Sequence, residues 1–100
     1  MSTTIKAVTD QLAKKEIERL RVVAENAENQ ARENEALAVI AGERLKEIMQ
    51  DSELLVAGER ALASLAKIRD VARLSRLVAN EAAKNYYDAQ KGYFELGMMP

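Results

Sequence analysis

Apolar residues in the first half of the chain recur at alternating intervals of three and four, the spacing of a helix that packs along one line against another helix. The alternation holds without a break for ten positions. These seam positions are Ile17, Leu20, Ala24, Ala27, Ala31, Asn34, Ala38, Ala41, Leu45 and Ile48. A seven-residue repeat sustained over this length predicts a left-handed supercoiled seam, as in a coiled coil.

The pattern lapses near the middle of the chain, at residues 49–53. Asp51 or Ser52 can accept a hydrogen bond from the first N–H groups of a new helix, and Glu53 then lies in its first turn, where the helix dipole favours an anion. The sequence therefore predicts a single helical domain with arm one at about residues 5–49, a turn at about 50–53, arm two at about 54–96 and a short tail at 97–100.

The second arm carries bulkier apolar residues than the first. The seam residues predicted there include Leu65, Ile68, Val71 and Val78. If the chain reverses at the predicted turn, Ala31 faces Val71 and Ala24 faces Val78. A small residue then meets a large one at each level, which is one way for a helix pair to fill space without voids.

A four-residue repeat lies on either side of the predicted turn. Ala-Gly-Glu-Arg occurs at residues 41–44 and again at 57–60. In the same folded-back register Glu43 faces Arg60 and Arg44 faces Glu59, so the repeat predicts two reciprocal interhelical ion pairs near the tip. A chance coincidence in a chain rich in Ala and Glu is the alternative.

The fold class predicted by these patterns is all-α, a long antiparallel helical hairpin resembling a coiled coil. Both arms also carry apolar residues away from the seam, among them Val23, Leu37 and Leu74. This excess predicts that the hairpin is completed as a four-helix bundle or a larger helical assembly. Two other topologies stay open: a third helix made by a bend at residues 33–35, and a single rod of about 140 Å.

Asn34 is the polar exception in the first seam. A buried Asn can fix the register and the oligomeric state of packed helices at some cost in stability. It can equally mark a bend or reach solvent.

Charge argues against nucleic acid as a partner. The chain has 15 Lys and Arg against 16 Asp and Glu, a net charge of -1, so no overall field attracts phosphates. Arg69, Arg73 and Arg76 form a basic stripe on the second arm, which we expect to pair with the acidic residues of the first arm. An RNA-binding bundle of the Rop type is the alternative in which this stripe contacts RNA.

Residue content also argues against catalysis. The chain has no His and no Cys, and it lacks a glycine-rich phosphate loop, so no catalytic residue, cofactor or metal site is predicted. No stretch is apolar enough to span a bilayer, and the first residues lack the apolar core of a signal peptide. We therefore expect synthesis in the cytoplasm, with the final location open.

All four aromatic residues lie between residues 86 and 94. Tyr86 and Tyr93 share the inner stripe of the second arm. The adjacent row and the tail supply the candidate partner-binding residues, which are Tyr87, Phe94, Leu96, Met98 and Met99. The alternative is that these residues only close the open end of a bundle.

Together these features predict a non-enzymatic helical protein that works by protein–protein interaction, as a homo-oligomer or as a structural subunit of a larger complex such as a viral particle or a secretion apparatus. A small inhibitor or regulator that binds a single host protein is the second hypothesis.

Overall fold

The computed structural model is a hairpin of two long antiparallel helices. Helix α1 is Ser2–Met49 and helix α2 is Leu55–Glu95. The structure describes residues 2–50 and 55–95, and the side chains of residues 8–50 and 58–95. The hairpin measures 78 × 17 × 15 Å. The predicted all-α hairpin is therefore confirmed.

The two other topologies do not occur. Helix α1 continues through residues 33–35 without interruption, so residues 2–50 and 55–95 form two helices and no third one. The chain reverses between α1 and α2, and the resulting 78 Å length is far shorter than a single rod.

Helix α1 ends with a standard closing turn. The Gln50 N–H donates to the carbonyl oxygens of Lys46 and Glu47, at 3.2 and 3.3 Å, and so satisfies carbonyls of the last turn. Lys46 also places a positive charge at this negative end of the helix dipole. Several predicted residues of the turn and tail lie outside the described residues: Asp51, Ser52, Glu53, Leu54, Leu96, Met98 and Met99.

The contact between the helices follows one unbroken repeat. All ten seam positions of α1 are buried or half-buried. The inward positions of α2 keep the same alternation of three and four, and they are Gly58, Ala61, Leu65, Ile68, Ala72, Ser75, Ala79, Ala82, Tyr86, Ala89 and Tyr93. Both helices therefore carry the seven-residue repeat of a supercoiled pair.

The predicted seam of α2 needs one correction. Val71 and Val78 are 52% and 62% exposed, and the seam is occupied instead by the residues that follow them, Ala72 and Ala79, at 7% and 1%. Small residues thus face small residues in the middle of the hairpin. Because alanine faces on both helices leave little space between the backbones, valines do not fit there and lie beside the seam.

The register also differs from the predicted one near the tip. A Cβ placed on Gly58 would lie 3.7 Å from Met49 Cγ and 4.0 Å from Ile48 Cγ2, nearly one helical turn further along α1 than predicted. The predicted ion pairs Glu43–Arg60 and Arg44–Glu59 accordingly do not form. All four of these side chains are described, and all are exposed.

The alanine seam predicts a strong size limit at Ala31, which is fully buried. We expect Ala31→Leu to lower the free energy of unfolding by about 1–3 kcal/mol, because the larger side chain forces the helices apart. Urea unfolding followed by circular dichroism measures this change. Ala36→Leu is the control, since Ala36 is exposed on the same helix; equal effects of the two substitutions would contradict the seam described here.

Candidate interaction surface

The seam divides the surface of the hairpin into two flanks of different chemistry. At 3.6 residues per turn, residues just before Ala31 or Ala38 lie on one side of the seam, and residues just after Ala27 or Asn34 lie on the other. The first side carries four exposed aliphatic residues, Val23, Leu37, Val71 and Val78. The second side, which we call the charged flank, carries Arg21, Glu28, Glu35, Arg69 and Arg76. Because the helices are antiparallel, matching sides of α1 and α2 meet.

The charged flank is held together by Arg76. Its guanidinium reaches from α2 across the seam and donates to Glu28 at 2.5 Å and to Glu35 at 2.5 Å. The hydrogen bonds to Arg76 hold the pKa of both carboxyls below their usual value, and the two carboxylates raise the pKa of Arg76 in turn. One cation thus joins two acids of the opposite helix.

The remaining members of the basic stripe do not cross the seam. Arg73 pairs with Asp70 on its own helix at 3.3 Å. Arg69 lies beside Gly42, and no ion pair involves it among the described residues. The stripe is therefore largely neutralised within the hairpin and does not present three free cations on one face.

A groove of about 580 Å³ lies along this charged flank. It is bordered by Arg21, Glu28, Arg32 and the rings of Tyr86 and Tyr87. Its charged groups already pair: Arg21 with Glu18 and Glu25, and Arg32 with Glu28. The described residues include no cluster of His, Cys, Asp or Glu suited to hold a metal ion.

The opposite side, which we call the apolar flank, consists of Val23, Leu37, Val71, Leu74 and Val78. These side chains are between 44% and 62% exposed. Two shallow grooves run along it, one of about 190 Å³ between Leu37 and Val71 and one of about 240 Å³ beside Leu74 and Val78. Both are lined mainly by carbon, so this flank is suited to contact another apolar surface.

Asn34 lies between these two grooves and pairs across the seam. Its Nδ2 donates to Ser75 Oγ at 2.6 Å, and Gln30 Nε2 donates to Asn34 Oδ1 at 3.3 Å. Two polar seam residues thus meet at one level, an arrangement that specifies register. Sequence reasoning missed Ser75, although its position in the repeat of three and four identifies it.

The open end of the hairpin is closed by Tyr93 rather than by Phe94. Tyr93 is 4% exposed, and its hydroxyl donates to the Asp10 carboxylate. Burial and this hydrogen bond raise the pKa of Tyr93 to about 12. Tyr86, half-buried in the seam, contacts the ring of Tyr87 at a centroid distance of 5.4 Å.

The predicted partner-binding residues Tyr87 and Phe94 are 64% and 66% exposed. They form a row on α2 that lies on the side of the charged flank, as the position of Tyr87 in the large groove shows. They are therefore separate from the apolar flank.

No protein-family model matches the chain, and no curated protein or solved structure is significantly similar to it. Across the described parts of α1 and α2, no stretch is both long and apolar enough to cross a membrane.

The bridge made by Arg76 predicts a specific loss of stability in acid. The folded-state pKa values of Glu28 and Glu35 lie below the reference value of 4.5, so the unfolded chain binds more protons as pH falls. Their contribution to stability is complete above the unfolded pKa and is lost as pH falls through the folded pKa. We expect Arg76→Gln to reduce the fall in melting temperature between about pH 7 and about pH 3.

Thermal unfolding followed by circular dichroism at low salt measures this difference. Arg69→Gln is the matched control, because it removes one cation from the same helix without breaking an ion pair. The bridge would be contradicted if the two variants showed the same acid dependence.

Proposed function

We propose that the protein is a non-enzymatic helical subunit that works by protein–protein interaction through its apolar flank, within a larger assembly. The observation that carries this proposal is the row of exposed aliphatic side chains beside the seam, at Val23, Leu37, Val71, Leu74 and Val78. Contiguous apolar surface rimmed by polar residues is typical of interaction sites.

The total surface area supports a missing partner. The hairpin exposes 7838 Å², whereas a compact monomer of 11.1 kDa exposes about 5,700 Å². The excess of about 2,100 Å² exceeds the roughly 800 Å² that one partner buries in a standard interface. The hairpin therefore has ample surface for one or more contacts.

The small apolar area buried between the two helices also supports a partner. Among the described residues no large side chain is fully buried, so the pair of helices by itself buries little apolar area. A second layer packed on the apolar flank would convert the hairpin into a two-layer structure with a conventional core. Structural subunits of viral particles or secretion apparatuses are settings that such a helical element suits.

Two alternatives use the same molecule differently. A small inhibitor or regulator would dock the apolar flank on one host protein, and it differs from a structural subunit in stoichiometry. A Rop-type RNA-binding bundle would use the basic stripe, but Arg73 and Arg76 already pair with carboxylates. Added salt separates these cases, since RNA binding weakens steeply with salt and apolar association does not.

The proposal predicts that the chain is held in a complex by Leu74. In an extract of the cells that produce it, we expect the tagged wild-type chain to elute in gel filtration well above its own 11.1 kDa. Leu74→Glu should shift it to the mass of the free chain, because a buried unpaired carboxylate is costly. Leu77→Glu should leave the chain in the complex. Leu77 is the control because its exposed fraction of 58% is close to the 55% of Leu74, but it lies outside the apolar flank.

Elution of the wild-type chain at its own mass in the extract would overturn the proposal. Retention of the complex by Leu74→Glu would locate the interaction away from the apolar flank, and loss of the complex on both substitutions would show that the interaction is not confined to that flank. Circular dichroism of each purified variant shows whether the helices remain intact.

A further inference from the structure

We infer that the occupant of the apolar flank is a second copy of this chain, packed face to face with its helices reversed about a two-fold axis close to Leu74. This inference rests on the proposed function and names the partner. Two charge patterns, one on each helix, support it, and both have the same centre.

The first pattern lies on α2. Lys67, Leu74 and Glu81 are spaced by seven and therefore form one line along the helix. Lys67 borders the groove between Leu37 and Val71, so this line forms the rim of the apolar flank. Lys67 and Glu81 are both exposed, and neither has an ion pair among the described residues.

A two-fold axis at Leu74 that reverses the helix direction gives each of these three residues a suitable partner in the second copy. Lys67 then faces Glu81 of the second copy, Glu81 faces its Lys67, and Leu74 meets its own copy. Val71 comes beside Val78 of the second copy. The interface thus has an aliphatic centre with opposite charges at each end of the rim, as in self-complementary dimers.

The second pattern lies on α1. Arg19, Glu33 and Glu47 are equally spaced along one line of this helix. Reversal about Glu33 places Arg19 opposite Glu47 of the second copy. Arg19 already bonds Glu16 on its own helix but remains 60% exposed at its side chain, so it can serve both carboxylates.

The centres of the two patterns, Leu74 on α2 and Glu33 on α1, lie at the same position along the hairpin axis. Gly58 lies against Ile48 and Met49, and because the helices run antiparallel this contact puts Glu33 level with Leu74. One axis therefore pairs Lys67 with Glu81 on α2 and Arg19 with Glu47 on α1, although these residues lie in different parts of the sequence.

The other face-to-face arrangement keeps both hairpin tips at the same end and stacks α1 on α2 of the second copy. In that arrangement Glu33 lies over Leu74, and Lys67 lies over the exposed Ile40. Covering aliphatic side chains with unpaired charges is unfavourable. The antiparallel arrangement has two unfavourable contacts of its own on α1: Glu33 meets its own copy, and Asn26 faces Ile40 of the second copy.

Single cysteines test this geometry directly, because the chain has none of its own. Leu74→Cys should form a disulfide-linked dimer on mild oxidation at least about tenfold faster than Leu77→Cys, since only the first brings two copies within disulfide reach of about 4.4–6.8 Å between Cα atoms. A mixture of Lys67→Cys and Glu81→Cys should cross-link faster than either variant alone.

Equal cross-linking rates for Leu74→Cys and Leu77→Cys would overturn the inference, as would rapid cross-linking of Lys67→Cys with itself. A purified chain that stays monomeric and does not cross-link would also overturn it. If the same chain still elutes in a large complex from extract, the proposed function stands and only the identity of the partner is wrong. Elution at its own mass in both cases removes both proposals.

Charge reversal provides an independent check by sedimentation equilibrium at low salt. Lys67→Glu and Glu81→Lys should each weaken the dimer about tenfold, because two rim pairs become repulsive. The double variant Lys67→Glu/Glu81→Lys should recover wild-type affinity. Glu33→Gln should tighten the dimer, and Lys84→Glu, on an exposed position away from the flank, should leave it unchanged.

Failure of the double variant to recover, with both single variants weakened, would show that Lys67 and Glu81 do not face each other. A dimer unaffected by any of these changes would place the interface elsewhere.

Discussion

Close contact between two alanine-rich helix faces is the constraint on which the rest of the hairpin depends. Ala31 and Ala79 are almost completely buried, so the helices can approach closely, but each alanine removes little apolar area from water. The same closeness leaves no room for Val71 or Val78 in the seam. Aliphatic side chains that a larger core would enclose, such as Val71 and Val78, therefore lie exposed beside the seam.

An alanine seam by itself specifies register poorly, because a slip of seven residues replaces one alanine with another. Polar contacts supply the missing specificity. Asn34 pairs with Ser75, and Arg76 reaches two acids one repeat apart. A hairpin slipped by seven residues would keep only one of the two Arg76 pairs and would place Asn34 opposite Ile68 or Ala82 instead of Ser75. The Asn34–Ser75 contact in the seam and the Arg76 bridge on the charged flank thus fix how the helices align.

The hairpin and the whole seam of α1 could be predicted from sequence, because a strict repeat of three and four is a direct consequence of helical geometry. The seam of α2 could not be predicted from hydrophobicity alone. Ser75 and Ala79 occupy it, whereas the more hydrophobic Val71 and Val78 precede seam positions by one residue. The ion pairs expected at Glu43 and Arg44 failed for a different reason: an uncertainty of one turn in register changes every partner. The apolar flank became visible only once the seam was known.

The contacts between the helices differ greatly in how much chain they enclose. Asn34 and Ser75 are 41 residues apart, whereas Asp10 and Tyr93 are 83 apart. Because the entropy cost of closing a loop grows with its length, contacts near the turn form more easily than contacts near the two ends of the chain. The hydrogen bond between Tyr93 and Asp10 is then the last to form and the first to open. When this hydrogen bond breaks, the ends of the two helices can separate while the contacts in the middle of the hairpin remain.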